Sequence, residues 1–317
     1  MPSPQSDQTH WTSRSIGSNR QHNVFYFLIR YTGRRMSYGV LYFVSLYYVL
    51  FRSDVREKAS YYLDRRFKKN SGLIRLLNCY RIYVNLGKAL IDRATVGIKG
   101  PAAIRTSSKG LPELKHLITG ERGLIMLTAH VGCWQAAMAE LYCLNSPVSL
   151  LVHREEGDVD RHYFEHCGAS VPFRIIDPMG YMGGVLEMME ILRRGEVVSI
   201  MGDRVFGSDR KTVAVEFLRG KVRFPFSAFK LSSATGAPIA VLFSYRNGSG
   251  TYEMSLEKVI EVPPDLGNSA ESFYPYVEEY ARALESYTER YPYQFFNFFN
   301  MWKSDADHKS QIASPKQ

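Results

Sequence analysis

Residues 123–135 read GLIMLTAHVGCWQ. The run from Gly123 to Ala129 is short, apolar and bounded by turn signals, which predicts a buried strand. A histidine and a glycine follow it, and the pattern from Cys133 to Leu144 is helical. In open α/β sheets ligands sit just beyond the carboxyl ends of strands. His130 stands at such a position and could reach a substrate. Gly132 lets backbone approach closely, and the N–H groups that open the next helix can stabilise an anion. The other reading, a capping or core histidine, stays open on position alone.

Working outward, strand and helix alternate. Val148 to Val152 reads as a strand, Asp158 to Cys167 as a helix and Phe173 to Ile176 as a short strand. Tyr181 to Arg194 carries Leu186, Met189 and Leu192 at helical spacing and is closed by Gly195. Val197 to Met201 is another buried strand. This alternation predicts an α/β fold with a mostly parallel central sheet flanked by helices. Beyond it come a hairpin (Val213 to Phe217, Lys221 to Phe224), a helix (Phe226 to Thr235), strands at Pro238 to Tyr245 and Tyr252 to Leu256, and a helix at Phe273 to Arg290.

A second polar group ends a buried strand: Met201-Gly-Asp203-Arg204. A carboxylate beside a guanidinium is costly to bury without purpose, although a local salt bridge or helix cap would also produce the pair. If the strands before His130 and Asp203 are parallel neighbours, their carboxyl ends open on one edge. Asp203 then lies in the same cleft as the imidazole.

The N-terminal part differs in texture. Residues 1–23 are polar and read as a disordered leader. Val24 to Arg30 is apolar and aromatic, and MSYGVLYFVSLYYVLF (36–51) carries no charge over 16 residues. That is short of the ~20 residues of a spanning helix. Its tyrosines and the flanking Arg30, Arg34, Arg35 and Arg52 suit a membrane interface; a buried core helix is the other reading. Residues 53–95 read as basic helices. The expected organisation is a leader (1–23), an N-terminal helical, membrane-contacting region (24–95), a catalytic-type domain (96–305) and a flexible tail (306–317).

Composition excludes several classes. Apolar residues are 45% and charged residues 22% of 317, which is ordinary for a folded globular chain. Lys and Arg number 40 against 31 Asp and Glu, a net charge of +9, so an acidic partner is favoured: nucleic acid, an anionic membrane or an acidic carrier protein. The aromatics lie in long apolar runs, which fits lipid rather than nucleic acid. Cys79, Cys133, Cys143 and Cys167 show no CxxC spacing. His162 and His166 share a helical face with His153 and Cys167 nearby, but no HExxH accompanies them, so no metal site is expected. GxGxxG, GxxxxGK[ST] and GxSxG are all absent from the sequence.

Taken in order, the motifs resemble the lipid A biosynthesis (late) acyltransferases of the lysophospholipid acyltransferase superfamily. His130-Val-Gly-Cys-Trp-Gln135 is similar to that family's His-x-x-x-x-acid motif. His153-Arg154, Gly195 to Asp203-Arg204, Val215-Glu-Phe217 with Gly220, Thr235-Gly-Ala-Pro238, Pro292-Tyr-Gln294 and Trp302-Lys303 follow in the family's order. The resemblance implies a glycerolipid acyltransferase-like fold with His130 as general base, taking the proton of an acceptor hydroxyl as it attacks a thioester carbonyl. The donor would be an acyl-carrier-protein or coenzyme A thioester and the acceptor a lipid or glycolipid. No cofactor is implied beyond the thioester co-substrate, and the place is the cytoplasmic face of a bacterial inner membrane, held peripherally or by a short N-terminal anchor.

The chain departs from the motif where it matters. Gln135 stands where the family has an acidic residue. An amide oxygen can orient the imidazole but cannot match a carboxylate's charge; in the serine-protease triad the Asp-to-Asn change costs ~10⁴ in rate. Three outcomes are open: an enzyme tuned with Gln135, one served by Asp203 instead, or a weak relative that binds lipid or acyl carrier protein. The expected catalytic set is His130, Gln135 and Asp203. Gly132, Trp134 and Trp302 are expected at the substrate, and Arg154, Arg204, Lys221 and Arg223 are candidates for holding its anionic groups.

Overall fold

The computed structural model describes residues 19–120, 122–133, 146–152, 173–178, 180, 184–205 and 211–302. The helices expected at Cys133 to Leu144 and Asp158 to Cys167 lie outside these residues, apart from Cys133 itself.

Nine strands are described: β1 (Thr106–Lys109), β2 (Leu124–Thr128), β3 (Val148–Leu151), β4 (Phe173–Ile176), β5 (Val197–Met201), β6 (Thr212–Glu216), β7 (Lys221–Pro225), β8 (Ile239–Arg246) and β9 (Tyr252–Ile260). Seven form one sheet in the order β1-β9-β8-β2-β5-β3-β4, and β6 and β7 form a separate antiparallel hairpin. From β8 to β4 all neighbours are parallel; β9 runs antiparallel to β8, and β1 runs parallel to β9. The mostly parallel α/β architecture expected from the alternation is therefore the fold.

The central strands are apolar at consecutive positions because both faces are covered. Leu124, Ile125, Met126 and Leu127 are all buried, as are Val197 and Val198. Each such side chain contributes about 1.5–3 kcal/mol by leaving water. The stretch 96–122 holds β1 and a helix at Leu111–Thr119, neither of them expected from the sequence. Its strand, TSSK, is a polar edge strand with partly exposed side chains, so no apolar signal marks it.

Four N-terminal helices precede the sheet: α1 (Asn19–Tyr31), α2 (Arg34–Phe51), α3 (Ser53–Arg66) and α4 (Gly72–Lys99). The first begins before the boundary expected at residue 24. Helices α3 and α4 share the main core, through Tyr62, Leu63, Cys79 and Ile82. Tyr62 donates from its hydroxyl to the Pro292 carbonyl at 2.8 Å, and Arg66 Nε to that of Thr288 at 2.8 Å. A smaller cluster of Ile29, Leu41 and Ile91 fixes α1 and α2 on α4. On α2 the buried stripe is Ser37, Leu41, Ser45 and Val49, one residue per turn. Much of its remaining apolar surface is open, with Phe43 77% and Phe51 71% exposed. Among the described residues no helix is long and apolar enough to cross a membrane.

Candidate active site

Strands β2 and β5 are direct parallel neighbours, with Thr128 opposite Met201. His130 and Asp203 each lie two residues past that pair, so the register sets them side by side. His130 Nδ1 is 2.8 Å from Asp203 Oδ1 and 3.0 Å from Oδ2. The carboxylate is fully buried, and the imidazole is 25% exposed. An ionised carboxylate only accepts hydrogen bonds, so Nδ1 carries a proton, and in the neutral imidazole the lone pair is then on Nε2.

Burial alone would raise the Asp203 carboxyl. The charge and hydrogen bond of His130 and the Arg204 guanidinium outweigh it and hold the group below its ordinary range. Burial lowers Arg204 to about 10, with Asp203 pulling it back, so it stays charged at neutral pH. Its Nε is 3.7 Å from Asp203 Oδ2, its Nη2 donates to the Phe296 carbonyl at 2.8 Å, and its plane lies over the Phe299 ring.

Two glycines let this corner close. A Cβ on Gly202 would come within 2.7 Å of Leu127 Cδ1 and 3.2 Å of Tyr280 Cζ. Gly132 has φ +55°, and a Cβ there would stand 2.1 Å from the Ser244 carbonyl oxygen. The His130 loop is then stitched to a later segment. Phe296 N–H donates to the His130 carbonyl at 2.9 Å and Gly132 N–H to that of Gln294 at 2.9 Å. Ser244 Oγ donates to the Val131 carbonyl at 3.1 Å. Below it, the Thr128 carbonyl accepts from Gly202 N–H and from the Tyr280 hydroxyl.

The sheet face that carries this edge also has an apolar cavity. Because strand side chains alternate, Met126 and Thr128, Ser199 and Met201, and Leu150 line one side of it, and Leu242 lines it from β8. Ala129 and Val131, the neighbours of His130, also line it.

The structure thus brings together His130, Gly132, Asp203 and Arg204. Gln135, Trp134 and Arg154 lie outside the described residues, as do His153, His162, His166 and Cys167. Lys221 and Arg223 stand on the exposed side of the β6–β7 hairpin, off the sheet that holds His130. Trp302 is partly exposed: its ring stacks on Phe217, Arg65 lies over it at 5.6 Å, and its Nε1 donates to the Phe217 carbonyl. Tyr280, Gln294 and Phe296 were not singled out as site residues. Gln294 fell within a quoted motif; nothing in the sequence distinguishes Tyr280 among 21 tyrosines.

A family model described as bacterial lipid A biosynthesis acyltransferase matches residues 21–304. No curated protein matches the chain. Among solved structures, the chain is similar to the 1-acyl-sn-glycerophosphate (LPA) acyltransferase PlsC from Thermotoga maritima, with 15% identity, 81% of this chain and 98% of that chain covered, and a TM-score of 0.35.

Proposed function

The chain belongs to the bacterial lipid A biosynthesis acyltransferase family, and from that premise we propose that it moves a fatty acyl group from an acyl-carrier-protein or coenzyme A thioester to a hydroxyl of a lipid or glycolipid, with His130 as general base. The observation that carries this reading is the hydrogen-bonded contact between His130 Nδ1 and the buried Asp203 carboxylate. It supplies the charge that Gln135 cannot.

The chemistry follows from the tautomer. With Nδ1–H held by Asp203, Nε2 accepts the acceptor's hydroxyl proton as its oxygen attacks the thioester carbonyl carbon. The imidazolium that forms lies against a carboxylate already ionised and desolvated, so its charge is stabilised without reorganisation. Collapse of the tetrahedral intermediate breaks the C–S bond, and Nε2–H returns the proton to the leaving thiolate. Asp203 orients and stabilises, and it does not itself take the proton. Arg204 holds Asp203 and the Phe296 carbonyl, which fixes the carboxylate's position. The thioester bond supplies the driving force, so the reading needs no metal or organic cofactor.

A place on the cytoplasmic face of a bacterial inner membrane fits the same reading. Helices α1 and α2 present Phe27, Tyr31, Met36, Phe43, Tyr47 and Phe51 to the outside, with the exposed cations Arg30 and Arg35 among them. An apolar face rimmed by basic residues is what an interfacial helix lays on an anionic bilayer.

The test is mass spectrometry of lipids from cells with and without the gene, and with a His130→Ala copy. One lipid should gain one acyl chain only with the wild-type gene. A His130→Ala copy that keeps more than about a third of the product would remove the general-base assignment, since losing such a group costs about 10²–10⁴-fold.

A further inference from the structure

A second buried carboxylate, Asp92 of α4, lies at the β8–β9 end of the same sheet edge. Its Oδ2 accepts from the Tyr252 hydroxyl at 2.9 Å and its Oδ1 from that of Tyr38. Two guanidiniums face it without closing on it: Arg246 Nε is 3.3 Å from Oδ2 and Arg34 Nη1 is 3.6 Å from Oδ1. Both nitrogens are buried, and among the described residues neither has a hydrogen-bond partner. The outer nitrogens of the two converge beside Gly250, where a Cβ would stand 2.9 Å from Arg246 Nη2 and 3.9 Å from Arg34 Nη2. Lys88 Nζ lies over the Tyr38 ring at 5.9 Å and the Tyr42 ring at 5.1 Å. Glu253, next along β9, points to the other face and takes the Tyr245 hydroxyl.

Two guanidiniums therefore face one carboxylate in a largely buried site, and Lys88 lies over the ring of Tyr38, which the same carboxylate holds. Uncompensated positive charge in such a place is costly and favours an incoming anion. The surroundings say which anion. Arg34 opens α2 directly after the α1–α2 turn, between Tyr31, 69% exposed, and Met36, 59% exposed. The cation cluster thus lies at the edge of the exposed aromatic surface, and a lipid laid on that surface would bring its headgroup phosphate to it. It is also tied to the catalytic loop. Gln294 Oε1 accepts from Arg246 N–H at 2.8 Å, Gln294 Nε2 donates to the Arg246 carbonyl at 2.9 Å, and the Gln294 carbonyl accepts from Gly132 N–H.

We propose that Arg34 and Arg246, facing Asp92, with Lys88 one turn back along α4, form a binding site for the phosphate of a membrane lipid headgroup, on the sheet edge that carries His130. The proposal rests on the membrane-contact reading above. Guanidiniums suit phosphate because their N–H fork matches its oxygens. Asp92 holds the cluster together and competes with the ligand for its charge.

Flotation of the full chain with vesicles tests it. The probes are phosphatidylcholine alone, and phosphatidylcholine with phosphatidic acid. Wild type should bind the second more tightly, and an Arg34→Gln/Arg246→Gln double variant should lose on the order of tenfold of that gain. Asp92→Asn separates a site from a mere strut: it removes the competing carboxylate, so phosphatidic acid binding should tighten even as the melting temperature falls. An unchanged phosphatidic acid gain in the double variant, or a loss of it in Asp92→Asn, would overturn the site. Glycerol 3-phosphate raising the melting temperature as much as phosphatidic acid does would overturn the lipid assignment. Binding to phosphatidylcholine alone should be equal in all three proteins. Its absence in wild type would instead tell against membrane contact itself, and the lipid site would fall with it.

Discussion

Asp203 and Asp92 are both fully buried, and both face arginine, yet their environments push them in opposite directions. Asp203 has an imidazole at hydrogen-bond distance and a guanidinium beyond it, and it is held below the usual carboxylate range despite its burial. Asp92 has two tyrosine hydroxyls and two arginines just too far for good hydrogen bonds, and there burial wins and raises it. The first carboxylate is a fixed negative charge kept beside a base that must become positive. The second joins α2, α4, β8 and β9, and its charge is only partly matched. Burial alone assigns neither role; the geometry of the nearest donor does.

The comparison breaks most directly at the level of rate. Asp203→Asn should slow acyl transfer by about 10²–10⁴-fold, because the amide can no longer stabilise the imidazolium and can turn the ring to the wrong tautomer. Steady-state kinetics with a long-chain thioester would show this as a fall in kcat. Gln135→Ala should cost less. A larger loss from Gln135→Ala than from Asp203→Asn would return the orienting role to the position that the family motif assigns.

The second effect is on stability. Asp92→Ala leaves Arg34 and Arg246 facing each other without a carboxylate. Breaking a buried ion pair from one side costs about 3–5 kcal/mol, and the partial exposure of both arginines puts the expected loss at the lower end. Urea denaturation followed by circular dichroism measures it. A loss below about 1 kcal/mol, the range of surface pairs, would mean that Asp92 is not the joint between the N-terminal helices and the sheet.

These two sites were not equally legible in the sequence. The Asp203 site could be read because both of its residues end short apolar strands and the parallel register does the rest: Thr128 opposite Met201 carries His130 to Asp203. The Asp92 site joins residues 34, 38, 88, 92, 246 and 252, brought together only by helix packing and the β8–β9 pairing. Nothing in the local pattern of α4 separates Asp92 from an ordinary surface charge. The hairpin cations show the converse limit. Lys221 and Arg223 look like anion ligands in sequence, but alternation along a two-stranded ribbon sends them to its open side. Trp302, expected at substrate, stacks on Phe217 with Arg65 over its ring, a packing partner 85 residues away that no local pattern announces.

The smallest effect is also the one that sets the two carboxylates most directly against each other. A group whose folded pKa lies below its unfolded value of about 3.9 binds protons more weakly in the folded state. Asp203 is such a group. Its contribution is full above the ordinary carboxylate range and is lost as pH falls through it toward the lowered folded value. Asp92 is the reverse case. Its contribution is full below the unfolded value and is lost as pH rises through the raised folded value. Unfolding free energies of wild type, Asp203→Asn and Asp92→Asn, measured in urea between pH 3 and pH 7, should therefore diverge in opposite senses. The gap between wild type and Asp203→Asn should narrow as pH falls, and the gap between wild type and Asp92→Asn should widen. Each slope is bounded by about 1.4 kcal/mol per pH unit, the limit for one proton. Parallel slopes would mean that the two buried aspartates share one electrostatic character, and the division between a catalytic charge and a structural joint would fail.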